Sequence, residues 1–559
     1  MKTLLTTLHS RYIHASLALP YLQAYCQPVC PAIQIVELTL NQPKENLLAR
    51  IVAADANVIC FSVYLWNRVM TLELVTCLKQ INPDCRIVLG GPDISFETAA
   101  FFHQYPVDAI ICGEGEIPLS HLLAAWQAGK KPTTIAGLQL PGEHATEQES
   151  LLDPLDLLPS PFAAELVDLN RGLVYYESSR GCPYLCSFCL SACSTRVRSF
   201  SMERIKADLD LLMEQQVKLI KFVDRTFNYD AVRTRKIFRY ILEHNRSSAF
   251  HFEIGAHLLD ESTLLLLEQV PPGVFQFEIG VQAVLPETLQ RVSRAMSLEL
   301  LADNVKALNE RTNVHLHLDL VAGLPGSGLT EFFAAIDWTY ALGADHLQIE
   351  LVKLLPGTPL RQQVDDLKIC HDPAPPYGVL STAEWSFADL ERVRGISRLN
   401  DLLVNSHKFP RLIGALIATF GSLSRCLDEL NRYWCAQQLH AGSRSLRQLA
   451  EELARYVDQH FCGQALVALG EALARDYAHL ERVVSGSAPG FFDQSLTTQE
   501  QTQVRQQVKK HLEGLERDRK VQFFSSVFYQ LPEAPERRII TFIYVTRTST
   551  GVEVEEVIF

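Results

Sequence analysis

Ten residues constrain this chain more than any others: Arg180-Gly181-Cys182-Pro183-Tyr184-Leu185-Cys186-Ser187-Phe188-Cys189. They hold three cysteines in C-x3-C-x2-C spacing. Thiolates bind iron–sulfur clusters, and a cubane of four irons normally takes four cysteines. Three closely spaced thiolates hold three irons and leave the fourth open to chelate a small ligand. The preceding run, Leu173 to Ser179, is rich in β-formers and reads as a strand. The cysteine loop therefore leaves the C-terminal end of a strand, where α/β folds place their chemistry. Zinc is the competing reading. It wants a fourth Cys or His at matched spacing, and Cys193 could supply one.

Upstream, residues 1 to about 135 alternate strand-like and helix-like segments. Strands are expected at Thr3 to Leu8, Ile33 to Leu38, Val58 to Val63, Arg86 to Leu89 and Ala109 to Cys112, with helices such as Ala15 to Cys26 and Thr71 to Gln80. Five strands alternating with helices imply a doubly wound parallel sheet, whose ligands bind beyond the carboxyl ends of its strands. Those ends carry Gly90-Gly91-Pro92-Asp93 and Gly113-Glu114-Gly115-Glu116. Glycine there lets a bulky ligand approach the backbone, although a tight strand-to-helix turn would use it equally. His9 and His14 follow the first strand, on the same side; a lone histidine is more often a surface or capping residue than a ligand.

Five prolines between 131 and 168 mark a connection, with the linker proper at 136–168. From 169 to 370 the pattern gives six strand–helix units. After the cysteine strand come Lys218 to Val223, Phe250 to Ala256, Phe275 to Val281, Val314 to Val321 and His346 to Leu351. Met202 to Glu214 and Leu298 to Glu310 read as helices between them. Six units make an incomplete parallel barrel, active at its C-terminal face. Glu253 and Glu278 lie on strands that face its lumen, where a buried carboxylate needs a partner.

Cys182, Cys186 and Cys189, with Phe188 before the third cysteine and the lead-in S-R-G-C-P-Y, resemble the signature of the radical S-adenosylmethionine (SAM) superfamily. The order and sequences of G-G-P-D and G-E-G-E resemble the cobalamin-binding domain fused to many of its members. The resemblance covers residues 1 to 365. It implies a [4Fe-4S] cluster on the three cysteines, and SAM chelated at the open iron and cleaved by one electron to methionine and a 5'-deoxyadenosyl radical. It further implies methylation or other modification of an unactivated carbon with help from cobalamin, and an electron donor such as flavodoxin or ferredoxin. Carried over residue by residue, it puts Phe188, Asp224, Gln282 and Arg294 against SAM, and Gly90, Gly91, Pro92, Gly113, Glu114 and Gly115 against cobalamin. Gly280-Val281-Gln282-Ala283 stands where the family often has G-V-Q-S. The D-x-H-x-x-G motif that ligates cobalt in many cobalamin domains does not occur in this third, and Asp93 stands where relatives often have His.

Residues 371–559 read as mostly helical, with helices at Phe387 to Leu403, Leu412 to Leu430 and Leu446 to His460 and strands at Val521 to Tyr529 and Ile539 to Thr546. They resemble an uncharacterised C-terminal extension of one subgroup of the same superfamily. Cys426 and Cys435 read as buried thiols rather than metal ligands. A net charge of −13 gives no basic footprint for a general nucleic-acid binder. No run of about 18 or more apolar residues suggests a membrane span, and no signal peptide is apparent. Fourteen scattered cysteines suit a reducing compartment, so the cytoplasm is expected. Two other readings compete with the cobalamin enzyme. One is a SAM-only radical enzyme (cyclisation, rearrangement or oxidation) on a vestigial cobalamin fold. The other is a non-enzymatic cobalamin or redox sensor, which would not need a complete set of barrel strand ends.

Overall fold

The computed structural model describes residues 1–11, 14–96, 98–143, 150–193, 196–512, 520–531, 536–547 and 551–558, with the side chains of 192, 193, 520, 551 and 552 outside that description. The chain divides into two compact units, Met1–Leu390 and Glu391–Phe559.

The first unit opens with strands β1 (Thr3–His9), β2 (Ile33–Thr39), β3 (Val58–Ser62), β4 (Arg86–Gly90) and β5 (Ala109–Ile111). Helices α1 (Ala18–Cys26), α2 (Lys44–Ala53), α3 (Arg68–Ile81) and α4 (Thr98–Gln104) alternate with them, and α5 (Glu116–Gln127) follows β5. The strand order is β2-β1-β3-β4-β5, all parallel, as expected of a doubly wound sheet. β1 lies between β2 and β3 and is buried along its whole length. Its period of two sends Leu4 and Leu8 to one face, with Phe61, Leu72 and Val75, and Leu5 to the other, with Leu19, Val88 and Leu119. Each such buried side chain contributes about 1.5–3 kcal/mol. A sixth strand, β6 (Leu138–Gln139), pairs antiparallel with β5 inside the stretch expected to be linker. Two residues between prolines are too short to show a period.

The second sheet of this unit is the barrel. Its strands are β7 (Leu173–Tyr176), β10 (Leu219–Phe222), β11 (Ala249–Ile254), β12 (Phe275–Gln282), β13 (His315–Ala322) and β14 (His346–Leu351), all parallel and in that order, with β7 and β14 as open edges. Between β7 and β10 sits a two-residue antiparallel ladder, β8 (Ser179–Arg180) with β9 (Arg198–Ser199). Helices α6 (Met202–Glu214), α7 (Ala231–His244), α8 (Glu261–Leu267), α9 (Pro286–Arg291), α10 (Leu298–Arg311) and α11 (Leu329–Tyr340) return the chain. Ser201, Asp230, Asp260 and Ser297 cap four of them by accepting bonds from backbone N–H groups in the first turn. β12 and β13 alternate strictly. Phe275, Phe277, Ile279 and Val281 are buried, while Gln276, Glu278, Gly280 and Gln282 stand on the other face and are less buried. The lumen is therefore polar, and a packed aromatic group of Phe222, Phe227, Phe238, Phe252 and Phe275 fills the space behind the strands.

The second unit is helical and ends in an antiparallel sheet of Lys520–Phe528, Arg538–Arg547 and Gly551–Ile558. The single helix expected over 412–430 is two, Pro410–Phe420 and Leu423–Ala436. Gly421 ends the first in a left-handed conformation, and the Ser422 side chain caps the second. Helices Gly463–Leu480 and Thr498–Leu512 and the last strand add to the expected elements. Cys426 is buried as expected, but Cys435 is exposed. No helix among the described residues is long and apolar enough to cross a membrane.

Candidate functional site

The cysteine loop opens at Gly181 and closes at Val197, between the two strands of the β8–β9 ladder. Gly181 is left-handed (φ +98°), and a Cβ there would sit 2.3 Å from the Arg196 carbonyl oxygen. Only glycine lets the two sides of the loop meet this closely. The far side is tied down by backbone bonds, Ser187 N–H to the Val292 carbonyl (2.9 Å) and Leu360 N–H to the Ser187 carbonyl (2.8 Å).

Cys182, Cys186 and Cys189 all line one cleft of about 200 Å³ at the C-terminal mouth of the barrel. Each thiol has a polar neighbour. The Thr226 hydroxyl lies 3.5 Å from Cys182 Sγ, Arg294 Nη1 donates to Cys186 Sγ (3.6 Å), and the Ser191 N–H donates to Cys189 Sγ (3.4 Å). Among the described residues no three His, Cys, Asp or Glu side chains converge as ligands of one metal ion do. The Cys193 side chain lies outside the described residues.

Phe188, Gln282 and Arg294 line the same cleft. Gln282 sits on a bulge, where β12 spends an extra residue against β13 between Gly280 and Gln282, and takes a left-handed φ of +68°. A bulge re-aims a strand-end side chain, and a non-glycine residue in this region marks a constrained position. Arg294 Nη2 donates to the Gly280 carbonyl (2.7 Å). A Cβ on Gly280 would lie 2.1 Å from Gln282 Nε2 and 3.2 Å from Arg294 Nη2, so both side chains fold over this glycine.

Asp224 is the exception. Its carboxylate is 1% exposed and accepts bonds from Ser178 N (3.0 Å), Ser178 Oγ (2.7 Å) and Ser179 Oγ, with Arg233 Nη2 3.7 Å away. It lies behind the cleft and fixes the residues that lead into the cysteine loop. The next two residues, Arg225 and Thr226, face the cleft instead. Glu253 and Glu278 line it as expected, joined by Asp319. Glu278 is held down to about 2 by the His251 hydrogen bond against burial, with Lys221 adding its charge. Burial pushes Glu253 up to about 7 and Asp319 up to about 8, and Asp319 Oδ1 has no hydrogen-bond partner among the described residues. Tyr184, a further wall residue, shares a hydrogen bond with His257 Nε2 (2.8 Å) and lies under the Arg294 guanidinium.

The glycine motifs of the first sheet divide differently. Gly91 is left-handed (φ +111°), and its Cβ would lie 2.4 Å from the Val63 carbonyl oxygen, so it serves the packing of β3 against β4. A Cβ on Gly115 would meet Leu22 of α1 at 3.0 Å, and one on Gly90 would make ordinary contact with Ile111. Gly113 alone of the four is both left-handed (φ +73°) and open, with nothing within 4 Å. The Glu114 carboxylate is bound to Arg180 (3.2 Å) and to Arg198, and Asp93 to Arg68 (3.3 Å) and the Tyr377 hydroxyl (3.1 Å). These acids join the sheet to the barrel rather than face a ligand. So do Phe96, whose ring occupies the space beside Gly357, and His14, which shares a hydrogen bond with the Tyr175 hydroxyl (2.8 Å). His9 lies 3.2 Å from Glu37. Beyond β3, Tyr64 and Trp66 stack at 4.5 Å between centroids, and Trp66 is 46% exposed. An exposed aromatic stack and an open glycine at the ligand edge suit a large planar ligand. Two aromatics in a strand-to-helix loop were the available sequence signal.

Residues 4–123 match the family described as B12 binding domain, and residues 176–339 match the radical SAM superfamily. The chain joins a B12-type domain to a radical SAM domain. Its residues 365–531 match a third family, described as protein of unknown function (DUF4080). An uncharacterized methyltransferase of Pyrococcus horikoshii is 26% identical over 50% of this chain and 63% of its own length. The cobalamin-dependent radical SAM methyltransferase TokK of Streptomyces tokunonensis is 25% identical over 57% of this chain and 50% of its own. The chain thus spans between about half and two thirds of these relatives. Among solved structures, the cobalamin-dependent SAM radical enzyme OxsB superimposes over 92% of this chain and 82% of its own with a TM-score of 0.57 at 14% identity. The radical SAM methyltransferase TsrM of Kitasatospora setae covers 67% of this chain and 78% of its own with a TM-score of 0.54 at 18% identity. Both share the fold.

Proposed function

We propose that this protein is a cobalamin-dependent radical SAM methyltransferase acting on an unactivated carbon. One observation carries the reading: the three cysteines share a single cleft with Phe188, Gln282 and Arg294 at the barrel mouth. Cys182, Cys186 and Cys189 would each hold one iron of a [4Fe-4S] cluster. Arg294, already oriented by the Gly280 carbonyl, offers its guanidinium to the SAM carboxylate, a charge-assisted pairing. Gln282 supplies amide hydrogen bonds, and Phe188 an apolar wall. Asp224 acts one layer back, as a positioning residue for Ser178 and Ser179. In the first sheet Gly113, the Tyr64–Trp66 stack, Gly90 and Pro92 would hold the corrinoid. When bound, these groups supply an electron to cleave SAM, a carbon radical and a methyl group; the protein orients the reacting atoms and keeps water out. The electron comes from a small donor protein such as flavodoxin or ferredoxin. On this reading the functional domains run 1–135, 169–370 and 371–559, with 136–168 between the first two and the last of them an accessory region.

One observation favours a second reading, a SAM-only radical enzyme. Glu114 and Gly91 are committed to structural contacts, which removes two of the six expected corrinoid contacts. A single anaerobic preparation separates the two. The first reading expects a brown protein that bleaches in air, with about four irons and one corrinoid per chain, and SAM-dependent release of 5'-deoxyadenosine. Iron and 5'-deoxyadenosine without retained corrinoid would select the second. A colourless protein with one zinc per chain would overturn both.

A further inference from the structure

Arg180 and Arg198 face each other directly across the β8–β9 ladder, one on each side of the neck that closes the cysteine loop. Two like charges opposite each other on neighbouring strands repel, and these are poorly solvated, with side chains 13% and 6% exposed. What lies between them comes from the other domain. Glu114, in the turn between β5 and α5, takes Arg198 in a two-pronged bond, Nη2 on Oε1 and Nη1 on Oε2 (3.2 Å), and Arg180 Nη1 on Oε2 at 3.2 Å. Burial works against its charge, but the Arg198 hydrogen bond and the fields of both arginines hold its carboxyl below the usual range. Glu116, the first residue of α5, takes Arg180 Nη2 at 2.8 Å, and Glu177 takes its Nε at 2.9 Å. The backbone joins in. Arg198 also donates to the Leu152 carbonyl, and the Leu152 N–H donates to Glu114 Oε2 (3.2 Å).

We infer that Glu114 is a positioning residue of the cluster loop: one carboxylate of the B12-type domain clamps both sides of the loop's neck and so holds the three cysteines in register. The inference rests on the cluster reading above, and it gives the first domain a task at the cluster whether or not that domain holds a corrinoid. Without Glu114 the two guanidiniums meet at the neck with Glu116 and Glu177 on one of them only. The neck then loosens and the loop samples open states.

Glu37 provides the control. It also ties the first sheet to the barrel, from β2 to Arg171 Nη1 (2.8 Å) just before β7, and it is as buried as Glu114, but it does not touch the loop neck. The experiment compares full-length wild type, Glu114→Gln and Glu37→Gln, each reconstituted anaerobically, for rate of iron release to a chelator. The same three iron-free proteins are then compared for hydrogen exchange across residues 181–197. The expected result is a loss of melting temperature in both variants, but iron release at least about fivefold faster, and faster exchange in the loop, only in Glu114→Gln. Equal iron release in the two variants, or a Glu114→Gln loop as protected as wild type, would overturn the clamp. Failure of wild type to take up iron would instead count against the cluster reading, and the exchange comparison would still decide the clamp. If Glu114→Gln does not yield soluble protein, Arg198→Lys, which keeps the charge and gives up the two-pronged bond, is read in the same way.

Discussion

The barrel and the sheet before it present the same kind of surface, strand ends carrying glycines, acids and a few special side chains, yet they use it in opposite ways. In the barrel, Cys182, Cys186, Cys189, Phe188, Gln282 and Arg294 gather around one cleft. In the first sheet, Glu114, Asp93, Phe96 and His14 reach across to the barrel, and Gly91 fills with the Val63 backbone. A motif at a strand end can therefore be a site or a seam. The residues that decide are those whose polar atoms still face open space.

The largest effect tests the barrel side of that contrast. Replacing any one of Cys182, Cys186 or Cys189 with Ala should abolish the cluster spectrum and 5'-deoxyadenosine release, because each removes an iron ligand. Cys193→Ala should retain both. Loss of iron from the Cys193 variant alone would move the ligand set.

Next in size is a pair that separates seam from site in the first sheet. Gly91→Val would place Cβ 2.4 Å from a backbone oxygen at a left-handed φ, with no flexible neighbour to yield. It should cost several kcal/mol and yield little soluble protein. Gly113→Asn keeps a residue that tolerates the left-handed region and projects into space with nothing within 4 Å. It should leave the melting temperature within a few degrees and weaken hydroxocobalamin binding, followed by visible titration. Unchanged corrinoid affinity would take Gly113 out of the site.

A smaller change is expected from Gly280→Ala. The new methyl group displaces the ends of Gln282 and Arg294, which can move, and spares the strand. SAM should bind about tenfold more weakly, roughly 1.4 kcal/mol, with iron content unchanged. Calorimetric titration under argon measures it, and wild-type affinity would show that neither side chain contacts SAM.

The smallest effect concerns pH. The Asp319 carboxyl is raised to about 8 by burial, so the folded state favours its protonated form. Its contribution to stability is complete at about pH 4 and is eroded as pH rises through 8. Asp319→Asn removes that erosion. Its advantage over wild type in melting temperature should be absent near pH 4 and grow to a few degrees by pH 8. A difference that stays flat with pH would mean that Asp319 ionises normally.

Much of this was legible in the sequence, for reasons that differ by element. Period-two burial and short turns carried the strands of both parallel sheets, and His346–Leu351 and Met202–Glu214 stand where the pattern puts them. The cysteine spacing marked the loop that lines the cleft. The motifs also named Gln282 and Arg294, which line the same cleft, but the bulge that aims Gln282 has no signal in spacing alone. Asp224 came from the resemblance of Phe222-Val223-Asp224, and the structure buries it against Ser178 and Ser179: β10 ends at Phe222, and past that strand end Arg225 and Thr226 line the cleft. Glu114 gave no hint of its partners, since they lie 66 and 84 residues away and an ion pair at that separation leaves no local trace. The last strand, Gly551–Ile558, did carry a signal, Val alternating with Glu, as did the apolar spacing within Gly463–Leu480.

The clamp also sets an order of events while the chain is being made. Synthesis runs from the N-terminus at about 5–20 residues per second, and domains generally fold as they emerge. Arg198 follows Glu114 by 84 residues, a lag on the order of ten seconds at that pace. The first sheet can thus be folded, with its carboxylate in place, before the second side of the neck has left the ribosome. The growing loop then closes onto a finished template.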